Sequence, residues 1–206
     1  LELVNADEWC PTAATDGKRF YYNARFIMML RKKEVEFLVG HEVLHVVYDH
    51  MDRRGDRDPQ LWNIADDYCV NADLKRHNVG EFITTVPCLY NYKYENMPAE
   101  QVYDDLYENA EFIDVDQLLE QMLDEHMDGD GEGAGGDEDG EGGKEGKGPV
   151  KMSQAEKDEL KQEIKEAILS AAEGVEAGNL PKGVERMIKD MTAPVMDWNE
   201  LIQSNV

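Results

Sequence analysis

Residues 32–51 read K-K-E-V-E-F-L-V-G-H-E-V-L-H-V-V-Y-D-H-M. Val35, Leu38, Leu44, Val47, Tyr48 and Met51 recur near helical spacing, which predicts one helix from about Lys33 to Met51. Inside it lies H-E-V-L-H, residues 41–45. His41 and His45 are four apart, so they project from one face, one turn from each other. Two neutral imidazoles so placed can share a zinc ion at about 2.0–2.1 Å. Glu42 can reach a water activated by that ion and serve as general base. Phe37, Leu38 and Val39 before the motif, and Val46 and Val47 after it, suit a helix buried in a core. The chain has only five histidines, and two of them stand at ligand spacing with Glu in the required place. The expectation is one zinc per chain.

Two imidazoles leave a catalytic zinc one protein ligand short. The next helix offers candidates. Asp58 as N-cap and Pro59 at the first helical position start a helix that runs to about His77, with Gly80 after its end. In W-N-I-A-D-D-Y-C-V-N, residues 62–71, the side chains of Asn63, Asp67 and Asn71 fall on one stripe. Asp67 lies beside Ile64 and Leu74, at the margin of the apolar face. That would bury a carboxylate among polar neighbours, which makes Asp67 the preferred third ligand and Asn71 its companion. Asp66 falls on the more exposed side with Asp73. His50 would add a third imidazole. Nine residues beyond His41 on a regular helix, however, it sits about half a turn away, and no Gly lies between His45 and His50. Asp66, His50 and the loop residue Glu81 stay open as alternatives. Cys69, two positions from Asp67, reads as core.

The wider composition bounds the function. The chain has 206 residues, 41% of them apolar, so a real core is expected. Its 45 acidic and 21 basic residues give a net charge of −24. That surface argues against nucleic acid and against anionic membranes as partners. Protein or peptide substrates are expected from the H-E-V-L-H motif instead. No apolar run approaches a bilayer span, and L-E-L-V-N-A-D-E-W at the start has neither the basic nor the apolar part of a signal peptide. Cys10, Cys69 and Cys88 make no disulfide framework, and a reducing, cytoplasmic setting is expected.

The expected fold class is α+β, mostly α: a zincin-like helical domain with a small N-terminal hairpin. Asp16-Gly17 reads as a turn between T-A-A-T and K-R-F-Y-Y. Arg19 to Asn23 is the expected edge strand, where an extended substrate would add. Tyr21, Tyr22 and Tyr48 could assist the metal or simply pack. Asn23 is the expected cap of a helix over Ala24–Arg31, and further helices are expected from Pro98 and over Asp114–Met127. Asp128 to Gly148 is 21 residues with ten Gly and eight acidic side chains. It can bury nothing and reads as a linker rather than a calcium loop. The expected organisation is a zincin-like domain over 1–127, a disordered acidic Gly-rich linker over 128–149, and a helical segment over 150–206 that docks back. In that last segment Ser153 and Glu156 form a capping box, and short helices are expected over Pro181–Met191 and Asp197–Asn205. The apolar Trp198, Leu201 and Ile202 suggest that the native chain continues past Val206.

Three motifs in order, T-A-A-T-D-G-K-R-F-Y-Y-N, H-E-V-L-H-V-V-Y-D-H-M-D-R-R and D-P-Q-L-W-N-I-A-D-D-Y-C-V-N, resemble a bacterial and phage metallopeptidase-domain family that precedes a VWA-like domain. The resemblance covers about residues 9–110 and continues weakly in L-P-K-G-V-E-R and V-M-D-W-N-E-L-I. It implies zinc dependence, with the family's HExxH on His41, Glu42 and His45, its recurrent Asp on Asp67 and its Asn on Asn71. Members often carry Ala at the position of Asp66. It also implies a VWA-like or MoxR-type AAA+ ATPase partner, although the VWA-like portion is essentially missing from this sequence. The function expected from motif and resemblance together is zinc-dependent hydrolysis of peptide bonds. The competing expectation is a catalytically silent, zinc-stabilised interaction module. Glu42 favours the enzyme, because a purely structural zinc needs no general base.

Overall fold

The computed structural model describes residues 1–110, 113–123, 153–175 and 180–192. The chain is mostly helical, with a small sheet at its N-terminus. Strands β1 (Glu2–Asn5), β2 (Ala13–Thr15) and β3 (Arg19–Tyr22) precede helices α1 (Ala24–Met29), α2 (Lys32–Val47), α3 (His50–Arg53) and α4 (Pro59–Arg76). After a single 3-10 turn come α5 (Ala99–Glu108), α6 (Val115–Leu119), α7 (Gln154–Glu173) and α8 (Lys182–Thr192). The expected linker and the helix over Asp197–Asn205 lie outside the described residues.

The turn at Asp16-Gly17 forms for a local reason. The Asp16 carboxylate accepts from the backbone N–H of Lys18 (2.9 Å) and Arg19 (2.7 Å) and from the Tyr21 hydroxyl (2.7 Å). Gly17 takes φ +89°, which a side chain would resist. The strand order, however, is β1-β3-β2. β2 pairs antiparallel with β3, and β1 pairs parallel with its other side, Leu3 opposite Phe20. Arg19–Asn23 therefore does not supply the expected edge for a substrate. Its backbone donors and acceptors are taken from both sides, because the residues before the hairpin return to pair with it. The Tyr21 hydroxyl, spent on Asp16, lies in this sheet as well.

Asn23 caps α1, its side chain accepting from the amides of Arg25 and Phe26. The start of α2 is held differently. Glu34 is fully buried, and its carboxylate accepts from the Arg31 amide (2.9 Å) and guanidinium (2.9 Å). It also accepts from the amides of Thr84 (2.8 Å) and Thr85 (3.1 Å) and from the Thr85 hydroxyl (2.6 Å). The Arg31 side chain first, and then the Thr84 and Thr85 groups, hold the Glu34 carboxyl well below the usual carboxylate range, against the opposing effect of burial. A depressed folded-state value means stability that is fully present above the unfolded value of about 4.3 and is lost as the pH falls below it. Glu34→Gln is expected to cost about 2 kcal/mol at neutral pH, since it weakens hydrogen bonds to a charged group. The gap to wild type should narrow progressively below about pH 4. Urea unfolding across pH 7 to 3 measures both.

The same strip of chain passes α2 so closely that only glycine fits. Gly80 has φ +65°, and a Cβ there would lie 2.5 Å from the Phe37 nitrogen and 2.6 Å from the Lys33 carbonyl oxygen. Both are backbone atoms of a helix. Gly80→Ala is expected to lower stability by about 3 kcal/mol, seen as a fall in Tm.

The expected single helix to Met51 is in fact two. α2 ends at Val47, Tyr48 caps it, and Asp49 takes φ 54°, ψ 39° before α3 restarts at His50. Asp is one of the few residues other than Gly that enter this left-handed region readily. The expected helix over Asp114–Met127 is realised as α6 alone within the described residues. The core is built around α4, which packs on α5 on one side and α2 on the other. α7 and α8 lie against this body. Lys161 pairs with Asp49 (3.3 Å) and Asp52, and Gly183 lets the Tyr48 ring approach so closely that a Cβ would sit 2.5 Å from it.

Candidate metal centre

Helices α2 and α4 place the chemistry-bearing side chains. His41, Glu42 and His45 come from one turn of α2, and Asp66, Asp67 and Asn71 come from α4. All six, and His50, are at most 1% exposed. Asp66 is thus not on an exposed side. The face of α4 that periodicity assigns to solvent is covered, because α4 is central and Asp66, Asp67, Asn71 and Asp73 are all buried.

His41, His45 and Asp67 bring their donor atoms together. His41 Nε2 and His45 Nε2 are 3.1 Å apart. Asp67 Oδ1 lies 3.6 Å from each of them. A tetrahedral ion with ligand bonds of about 2.0–2.1 Å separates its donor atoms by about 3.3 Å. The triangle of 3.1, 3.6 and 3.6 Å brackets that edge, so the donor chemistry and spacing fit one zinc-sized ion.

Asn71 sets how His41 presents itself. Its Nδ2 donates to the Leu89 carbonyl (3.0 Å), which turns its Oδ1 toward His41 Nδ1 at 2.9 Å. That oxygen can only accept, so Nδ1 carries the ring proton and Nε2 turns its lone pair to the space shared with His45 Nε2 and Asp67 Oδ1. From the far side the Leu123 amide approaches Asp67 Oδ2 at 3.5 Å. Asn71→Leu should leave the donors in place but free the His41 ring. Metal affinity is expected to fall about 10–100-fold, measured by competition with a chelating dye.

His50 is brought in as well. The backbone reversal at Asp49 swings its ring back, so that Nδ1 lies 3.1 Å from His45 Nδ1 and 3.5 Å from Asp66 Oδ1. The Trp62 indole N–H donates to the His50 carbonyl (3.0 Å) and anchors the turn. The argument that placed His50 half a turn away assumed an unbroken helix. Glu81 stays apart, exposed and paired with Arg31 at 3.2 Å. The Tyr48 hydroxyl is spent on Asp73 (2.7 Å) and is not turned to the histidines. Cys69 is buried, as a core residue would be, with its thiol on the Met97 carbonyl (3.4 Å). The two partners that orient Asn71 and Asp67, the Leu89 carbonyl and the Leu123 amide, are backbone groups and leave no mark in the sequence.

Among the described residues, no helix is long and apolar enough to cross a membrane. Searches of curated proteins and of solved structures find no match. One family profile matches, over residues 1–206, and its description is "Putative metallopeptidase domain". With that match spanning the whole chain, and two histidines and an aspartate of α2 and α4 grouped as a metal would need them, the protein belongs to this metallopeptidase-domain family.

Proposed function

We propose that the protein is a zinc-dependent peptidase in which His41, His45 and Asp67 hold the ion and Glu42 is the general base. The observation that carries this reading is the donor triangle of 3.1, 3.6 and 3.6 Å, with the buried Glu42 following His41 in the same turn of α2. A zinc ion held there would polarise a peptide carbonyl and lower the pKa of water from about 15.7 toward 7. The protein's own groups do the rest. The Glu42 carboxylate accepts a proton from the attacking water as its oxygen bonds to the carbonyl carbon. Glu42 then returns that proton to the leaving amine nitrogen as the C–N bond breaks, and ends the cycle ionised. Asn71 holds the His41 tautomer throughout.

A second reading has one observation in its favour. Every donor is buried, as in a zinc that only fastens α2 to α4. The deciding experiment incubates the full chain with a peptide library and follows cleavage by mass spectrometry. Cleavage that a chelator abolishes and added zinc restores is expected. Zinc-replete protein that cleaves nothing would favour the silent module.

A further inference from the structure

His45 stands between two donor groups. Its Nε2 faces His41 and Asp67, while its Nδ1 lies 3.1 Å from His50 Nδ1. His50 Nδ1 is in turn 3.5 Å from Asp66 Oδ1, and the ligand atoms of His45, His50 and Asp66 all lie within 4.8 Å of one another. The two measured edges, 3.1 and 3.5 Å, again bracket the about 3.3 Å expected between donors on one tetrahedral ion. We propose that His45, His50 and Asp66 hold a second divalent transition-metal ion, so that the His45 ring bridges two ions. The proposal rests on the first site as described above.

A second ion at His45 Nδ1 takes the place of the ring proton, which passes to the buffer. Two features support the proposal. The first is donor type. Two imidazole nitrogens and a carboxylate oxygen suit zinc, copper, nickel or cobalt rather than calcium or magnesium. The second is access. A cavity of about 460 Å³, lined by Tyr48, His50, Arg53, Cys69, Glu100 and Gly183 among others, reaches His50. An ion could enter the second group from that side.

The rival arrangement needs no second ion: His45 Nδ1–H would simply donate to His50 Nδ1. Metal counting separates the two. Metal-free full chain is dialysed against excess zinc, and bound metal is measured by elemental analysis. Two ions are expected in wild type, one in Asp66→Asn and in His50→Gln, and none in His45→Ala, with circular dichroism checking the fold of each variant. Copper(II) gives a readout on wild type alone. At two per chain, exchange coupling through the shared ring should remove the electron paramagnetic resonance signal of isolated copper. One ion at saturation in wild type would overturn the second site and leave the first standing. Two ions retained in an Asp66→Asn/His50→Gln double variant would also overturn it. No bound ion at all would overturn both sites.

Discussion

Glu42→Gln is expected to keep the fold and the metal and to lose turnover by about 10²–10⁴-fold, the usual worth of a positioned general base. The substitution is isosteric, so the packing around a fully buried side chain is preserved. What changes is proton affinity: an amide oxygen cannot take a proton from water at neutral pH. Removing one buried carboxylate also removes negative charge beside the ligands, so zinc content has to be matched before rates are compared. The measurement is peptide cleavage by wild type and variant at equal zinc, with elemental analysis on the same samples. Equal rates would mean that Glu42 is not the base or that the activity belongs to a contaminant.

Asp67→Ala should release the ion held with His41 and His45, while Asp66→Ala should keep it. Asp67 Oδ1 is 3.6 Å from both Nε2 atoms, whereas Asp66 faces His50 at 3.5 Å. Loss of a ligand should weaken affinity by more than the about 10–100-fold that follows loss of an outer partner. His45→Ala should lose metal and activity together. His50→Ala should retain the first ion, with at most a moderate loss of affinity. Competition titration of each metal-free variant reads these values, and a first-ion loss in His50→Ala equal to that in His45→Ala would overturn the ranking. The pair of aspartates makes a sharp comparison because they are adjacent in sequence and equally buried.

Much of this architecture is legible before any coordinates. The 41–45 spacing on a helix, the Asp58-Pro59 start of α4 and the Asn23 cap all act within a few residues, and local signals of that kind survive into the fold. What periodicity misses is tertiary. Asp66 and Asp73 look solvent-facing on an isolated α4, yet neighbouring elements cover them. β3 looks like an edge until β1, distant along the chain, pairs with its open side. The Asp49 reversal is an intermediate case. Asp is tolerated in the left-handed region, so the position offered a hint, but without glycine the residues 48–50 continue a helical pattern equally well. That one dihedral decides whether His50 points away from the cluster or into it.

The complete burial of the donors has a kinetic consequence. An ion held by His41, His45 and Asp67, each at most 1% exposed, leaves only when the side chains around it part, however weak or strong its equilibrium affinity. Release into excess chelator is then expected to reach a rate that no longer rises with chelator concentration, because opening has become the slow step. On the proposed peptidase reading, a peptide is far larger than an ion and would meet the same barrier, so opening would also limit turnover. The rate of product formation would climb with temperature as steeply as partial unfolding does, and small doses of denaturant would speed the enzyme before they destroyed it.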